Sequence, residues 1–187
     1  MLRLSFVSAL RSQKPGICLT LAAYALEDPW IMSGIGQCFA CHSTFGIEAP
    51  PERVFPLLCP VREHEWIPTW KAEMVHSKSG FAELDCVFRT NNPLEGNRTW
   101  ICTNYAPHRT IDYTSFSDLG YIMRLDIRLE ARGENATHVS WSRRFIATNP
   151  MGEAWVKQLD TASASKATER LATLLGHFLT TGSMLRA

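Results

Sequence analysis

The amino-acid sequence predicts an α+β fold in which a curved antiparallel sheet wraps a long C-terminal helix, with two short helices after the first strand. Three patterns lead there. Apolar residues alternate with polar ones in a series of runs separated by Gly, Pro and Asn turn signals. Two proline-bounded segments after the first of these runs are too short for anything but single helical turns. Beyond Asn149-Pro150 the apolar period changes from two to that of a helix.

Taken in chain order, Phe45 and Ile47 alternate with small residues and mark the first strand. Glu48-Ala49-Pro50-Pro51-Glu52-Arg53-Val54-Phe55 reads as a strand end followed by a proline-set helix start with an acidic first turn. This helix should reach about Leu58, and Val61 to Trp66 forms a second short helix or turn before Pro68. Six further strands are expected: Trp70 to Ser77, Phe81 to Thr90, Thr99 to Ala106, Thr110 to Ser117, Tyr121 to Arg132 and Thr137 to Ala147. The clearest is the fifth of these, where Tyr121, Met123, Leu125, Ile127 and Leu129 alternate with Arg124, Asp126, Arg128 and Glu130. The C-terminal helix is expected from Pro150 onward. Gly152 and the serines at 163 and 165 weaken its first half, and Lys166 to Leu179 is the well-formed part.

The 187 residues suffice for one domain with an appendage. We expect an N-terminal extension over 1–37, a folded domain over 38–180 and a tail over 181–187. A hydrophobic fraction of 45% excludes disorder, and a net charge of +1 disfavours nucleic acid as a partner. No apolar run approaches the roughly 18 to 20 residues that would cross a bilayer. The six cysteines show no disulfide framework, and most are expected reduced and buried.

Two N-terminal signals point elsewhere. Arg3, Arg11 and Lys14 precede the apolar run Ile17 to Leu26, which contains Ala23-Tyr24-Ala25, a pattern similar to an export signal. The alternative is an upstream stretch ahead of a start at Met32, and on that reading the protein is cytoplasmic. Cys38-x-x-Cys41-His42 matches the haem-attachment pattern of a c-type cytochrome. That chemistry needs a helix bringing both sulfurs and the imidazole to one ring. Here the motif runs directly into strand-like sequence, so no cofactor and no metal are expected.

The segments Phe45-x-Ile47-x-Ala49-Pro50-x-x-x-Val54-Phe55 and Trp66-Ile67-Pro68-x-Trp70, with the element order, resemble the START-like superfamily. This is the helix-grip group of birch-pollen-allergen-like proteins, lipid-transfer START domains and polyketide cyclase/dehydrase-like enzymes. The resemblance covers about residues 41 to 180 and implies a cavity for a small hydrophobic or amphipathic ligand. It leaves open whether the protein is a carrier or a cyclase-like enzyme.

Strand parity supplies the candidate lining. Val139, Trp141, Arg143 and Phe145 share a face, as do Ala72, Met74 and His76. Trp66 and Trp70 flank Pro68, and Trp100, Tyr113 and Met123 are further wall candidates. The ligand-binding set is therefore Trp66, Trp70, Met74, Trp100, Tyr113, Met123, Trp141, Arg143 and Phe145. His76, Tyr113 and Arg143 are the polar members that could move protons or hold an enolate or carboxylate. Core packing is the alternative for the tryptophans, a rim position for His76, and a structural ion pair for Arg143.

Overall fold

The computed structural model describes residues 36–186. The signal-like stretch and Cys18 lie outside the described residues. In chain order the elements are β1 (Cys38–Ile47), α1 (Pro51–Val54), which tightens into a 3-10 turn over Phe55–Leu58, and a second 3-10 turn at Glu63–Glu65. Then follow β2 (Ala72–His76), β3 (Val87–Asn92), β4 (Gly96–Ala106), β5 (Thr110–Ser117), β6 (Tyr121–Ala131), β7 (Thr137–Ala147), α2 (Pro150–Val156) and α3 (Thr161–Thr181).

The strands form one sheet in the order β1-β7-β6-β5-β4-β3-β2. Every neighbouring pair is antiparallel. β1 crosses to pair with β7, and the remaining strands follow as a meander. One face carries the alternating apolar residues: Tyr121, Met123, Leu125, Ile127 and Leu129 of β6 are all buried, as the period of two requires. Helix α3 packs against β1, and α2 packs against β6 and β7. Among the described residues no helix is long and apolar enough to cross a membrane.

The expected strand over Phe81 to Thr90 is only half present, because Phe81 to Cys86 is a loop. There Phe81 and Leu84 are exposed and Asp85 takes a left-handed φ of 65°. The following break is shorter than its seven turn-forming residues suggested. Asn91 and Asn92 pair with Asn97 and Gly96, and the hairpin closes through Glu95 N donating to Asn92 O at 3.1 Å. The C-terminal helix is interrupted between α2 and α3. Asp160 accepts a hydrogen bond from Ser163 N at 2.8 Å and restarts the helix as a side-chain cap. Asn149 caps α2 in the same way through Gly152 N at 2.9 Å.

Cys41, Cys59, Cys86 and Cys102 are buried, Cys38 is exposed, and all five are free thiols. Cys38, Cys41 and His42 lie within β1, so the pleat sends Cys41 inward while Cys38 and His42 point outward. His42 Nδ1 sits 2.8 Å from Ser142 Oγ. The two sulfurs on opposite sheet faces cannot meet one porphyrin edge, which removes the haem-attachment alternative.

Candidate functional site

The strand register assembles the site. Cys102, Tyr113, Leu125 and Arg143 stand directly opposite one another across β4 to β7, and Trp100, Ser115, Met123 and Phe145 form the adjacent row. Phe88 on β3 stacks on Trp100 with ring centroids 5.5 Å apart and planes 8° from parallel. The Tyr113 ring meets both edge-on. Between this face, the segment from Pro60 to Trp70 and Leu171 of α3, a cavity of about 160 Å³ remains. A volume near 150 Å³ holds a benzene-sized molecule, so this space admits roughly one substituted ring.

Seven of the nine residues expected to line a pocket border this cavity together: Trp70, Trp100, Tyr113, Met123, Trp141, Arg143 and Phe145. Three expectations are corrected. Trp66 is 1% exposed, lies in the core and donates its Nε1–H to Leu57 O at 2.9 Å, so it braces the chain beneath the cavity. Met74 is half-buried on β2 and does not reach the lining. His76 is exposed, because the β2/β3 register shifts between Met74 and His76 and breaks the parity that would have turned it inward.

Polar side chains that the sequence did not single out also border the cavity. Arg98 is 6% exposed, ion-paired to Glu95, and holds its guanidinium carbon 4.4 Å from the Trp100 ring centroid. Its place was readable from parity with Trp100 once β4 begins at Gly96. Glu63 had no such signal, since Arg62-Glu63-His64-Glu65 reads as a solvated turn. In the fold, Arg62 turns to Glu65 in a bidentate pair (2.9 and 3.0 Å), leaving Glu63 against the cavity. Burial pushes the Glu63 carboxyl up to about 8, so it is uncharged at neutral pH.

Arg143 is held by neutral acceptors alone. Its Nη2 donates to Ala164 O at 2.8 Å and to Thr168 Oγ1, both on α3. No carboxylate among the described residues pairs with it. The Nε atoms of both Arg143 and Arg98 are buried without an acceptor. By contrast, Arg128 on the outer face has the buried Asp112 as partner. Burial acts to raise that carboxyl, and hydrogen bonds from Arg128 and Asn104 outweigh it and hold it below the usual range. Tyr113 donates its hydroxyl to Leu58 O at 3.2 Å, and burial lifts its phenol well above the ordinary value, so it stays protonated.

A wider depression of about 640 Å³ lies across β2 to β5, bordered largely by outward-pointing residues such as Lys71, Glu73, Arg89 and Thr99. It is an open, mixed-charge surface, whereas the interior cavity gathers the aromatic rings and the unpaired donors. Among the described residues, no group of three or more His, Cys, Asp or Glu is placed to hold a metal ion.

Glu63 gives a pH-dependent expectation. Its carboxyl titrates near 4.5 when unfolded and near 8 when folded. Below pH 4.5 both states are protonated and nothing is lost. As pH rises from 4.5 to 8 the unfolded chain alone releases its proton, and folding stability declines. Glu63 keeps some accessible surface because it borders the cavity, so solvent screening discounts the loss to about 2 kcal/mol. Glu63→Gln should therefore match the parent protein at pH 4 and exceed it at pH 9 in urea unfolding. Parallel curves at the two pH values would show that Glu63 is not desolvated.

With this geometry in hand, the chain has the helix-grip fold: a seven-stranded antiparallel sheet, short helices after the first strand and a long C-terminal helix. Solved structures of that fold align with it. Norcoclaurine synthase from Thalictrum flavum covers 91% of this chain and 99% of its own length, with a TM-score of 0.61 at 13% identity. Ara h 8.0201 covers 78% and 98%, with 0.54 at 12% identity. DynU16, a protein in the dynemicin biosynthetic locus, aligns over 77% of this chain with 0.55 at 14% identity, and this chain spans about half (48%) of its length. No protein-family model and no curated protein matches the sequence. At these identities the likeness establishes the fold alone.

Proposed function

We propose that this protein binds a small hydrophobic or amphipathic molecule in the cavity between the inner sheet face and α3. The observation that carries the reading is a ring-sized space of about 160 Å³ whose walls include the aromatic rings of Trp70, Phe88, Trp100, Tyr113, Trp141 and Phe145. Norcoclaurine synthase, which shares the fold, has been captured in complex with dopamine and hydroxybenzaldehyde, two single-ring compounds.

Native mass spectrometry of the purified protein, together with displacement of a hydrophobic dye, tests the reading. Leu125→Trp places extra bulk in the cavity and should abolish displaceable dye binding. Because it fills space, its stability cost should stay below the roughly 1–3 kcal/mol of ordinary overpacking. Undiminished displacement in this variant, or none in the parent protein, would refute the cavity as the binding site.

A second reading, cyclase-like catalysis in the same cavity, is favoured by one observation. Glu63 presents a carboxyl that titrates near neutrality at the cavity wall, as a proton carrier must. Glu63→Gln separates the two readings. A carrier retains its bound mass in this variant, while an enzyme binds its substrate and no longer converts it.

A further inference from the structure

Resting on the reading of the cavity as a binding site, we infer that its ligand is a monoanion, a single aromatic ring bearing one carboxylate, with the carboxylate held by Arg143. Arg98 and Glu95 neutralise one another as an ion pair. Glu63, protonated at neutral pH, contributes no charge. Arg143 then leaves one positive charge at the cavity without a counterion among the described residues.

A guanidinium left beside apolar walls with an orphaned donor is costly unless an anion meets it. Arg98 and Arg143 both border the cavity, and the Nε of each is buried without an acceptor. A carboxylate oxygen accepts a short, charge-assisted hydrogen bond from a guanidinium N–H. Arg143 is also held in place, since Ala164 O and Thr168 Oγ1 take both N–H groups of its Nη2, which leaves Nη1 to donate to one oxygen of an incoming carboxylate.

Size and shape select the rest of the molecule. About 160 Å³ accommodates one ring and a short substituent. The walls are flat aromatic faces and edges from Trp70, Trp100, Tyr113, Trp141, Phe88 and Phe145, and these favour stacking against a ring. A dianion would over-neutralise the single free charge.

The probes are benzoate and phenylacetate, with benzamide and methyl benzoate as neutral counterparts and octanoate as a flexible carboxylate, titrated calorimetrically into the full chain. The aromatic carboxylates should bind at least tenfold more tightly than the neutral pair, about 1.4 kcal/mol, and more tightly than octanoate. Arg143→Gln should erase the preference for benzoate over benzamide. Arg143→Lys, which keeps the charge if Gln perturbs α3, should retain part of it. Equal binding of benzoate and benzamide overturns the anion assignment and leaves cavity binding standing. Tighter binding of octanoate overturns the ring. If no probe binds and no dye is displaced, the proposed function fails as well. If no probe binds while the dye is displaced, only the ligand class is wrong.

Discussion

Trp66→Ala is expected to destabilise the fold by about 3–5 kcal/mol, in the range seen when a fully buried tryptophan is truncated. The indole is 1% exposed and its N–H is committed to Leu57 O at 2.9 Å. Truncation would therefore open a void and orphan a buried carbonyl at once. Trp70→Ala, four residues further on and beyond Pro68, is the informative control. Trp70 is half-buried, donates to Pro60 O at 2.8 Å and borders the cavity. It should cost less stability and weaken dye displacement more. Urea unfolding and dye titration of both variants decide the matter. A Trp66→Ala protein that unfolds within about 1 kcal/mol of the parent but no longer binds dye would return Trp66 to the cavity wall.

Gly152→Ala is expected to cost about 3 kcal/mol, even though alanine is the better helix former by about 1 kcal/mol. A Cβ at Gly152 would stand 1.8 Å from Gly120 O and 2.5 Å from its carbonyl carbon, and backbone atoms cannot swing aside as a side-chain end can. Gly120 itself has φ +79°, and its carbonyl also accepts from Thr148 N at 2.8 Å. Moving it would disturb the β5–β6 turn as well as the cap of α2. Gly46→Ala is the matched control, because a Cβ there meets nothing within 4 Å. Thermal unfolding should place Gly46→Ala near the parent protein and Gly152→Ala far below it. Equal midpoints would mean that α2 can shift away from the sheet at no cost.

Gly152 also shows how sequence reasoning goes astray. In the linear pattern it is a flaw in a helix; in the fold it is the residue that lets α2 lie against a turn. The interruption of the C-terminal helix was equally hidden. Asp160 is an ordinary polar residue until its side chain closes on Ser163 N. Counting in twos turns His76 inward, and the count fails wherever a strand changes register, as β2 does between Met74 and His76.

Where pairing stayed regular, parity held. The strands over Thr110–Ser117 and Thr137–Ala147 begin and end at the expected residues. Trp141, Arg143 and Phe145 do share the inner face, because alternation is a property of the extended backbone itself. The fold class followed from the same local rules, since turn chemistry and apolar period act within a few residues of each other.

What the sequence by itself determined was therefore which residues face inward on each regular strand, and the resemblance in element order that led to the helix-grip fold. The tertiary structure alone decided the chemistry of the cavity. The Glu63 carboxyl is pushed up only because other segments take water from part of its surface, and Arg143 is an unpaired cation only because no carboxylate arrives on the neighbouring elements. Protonation and pairing are set by whatever is packed against a group, and those neighbours come from parts of the chain far away in sequence.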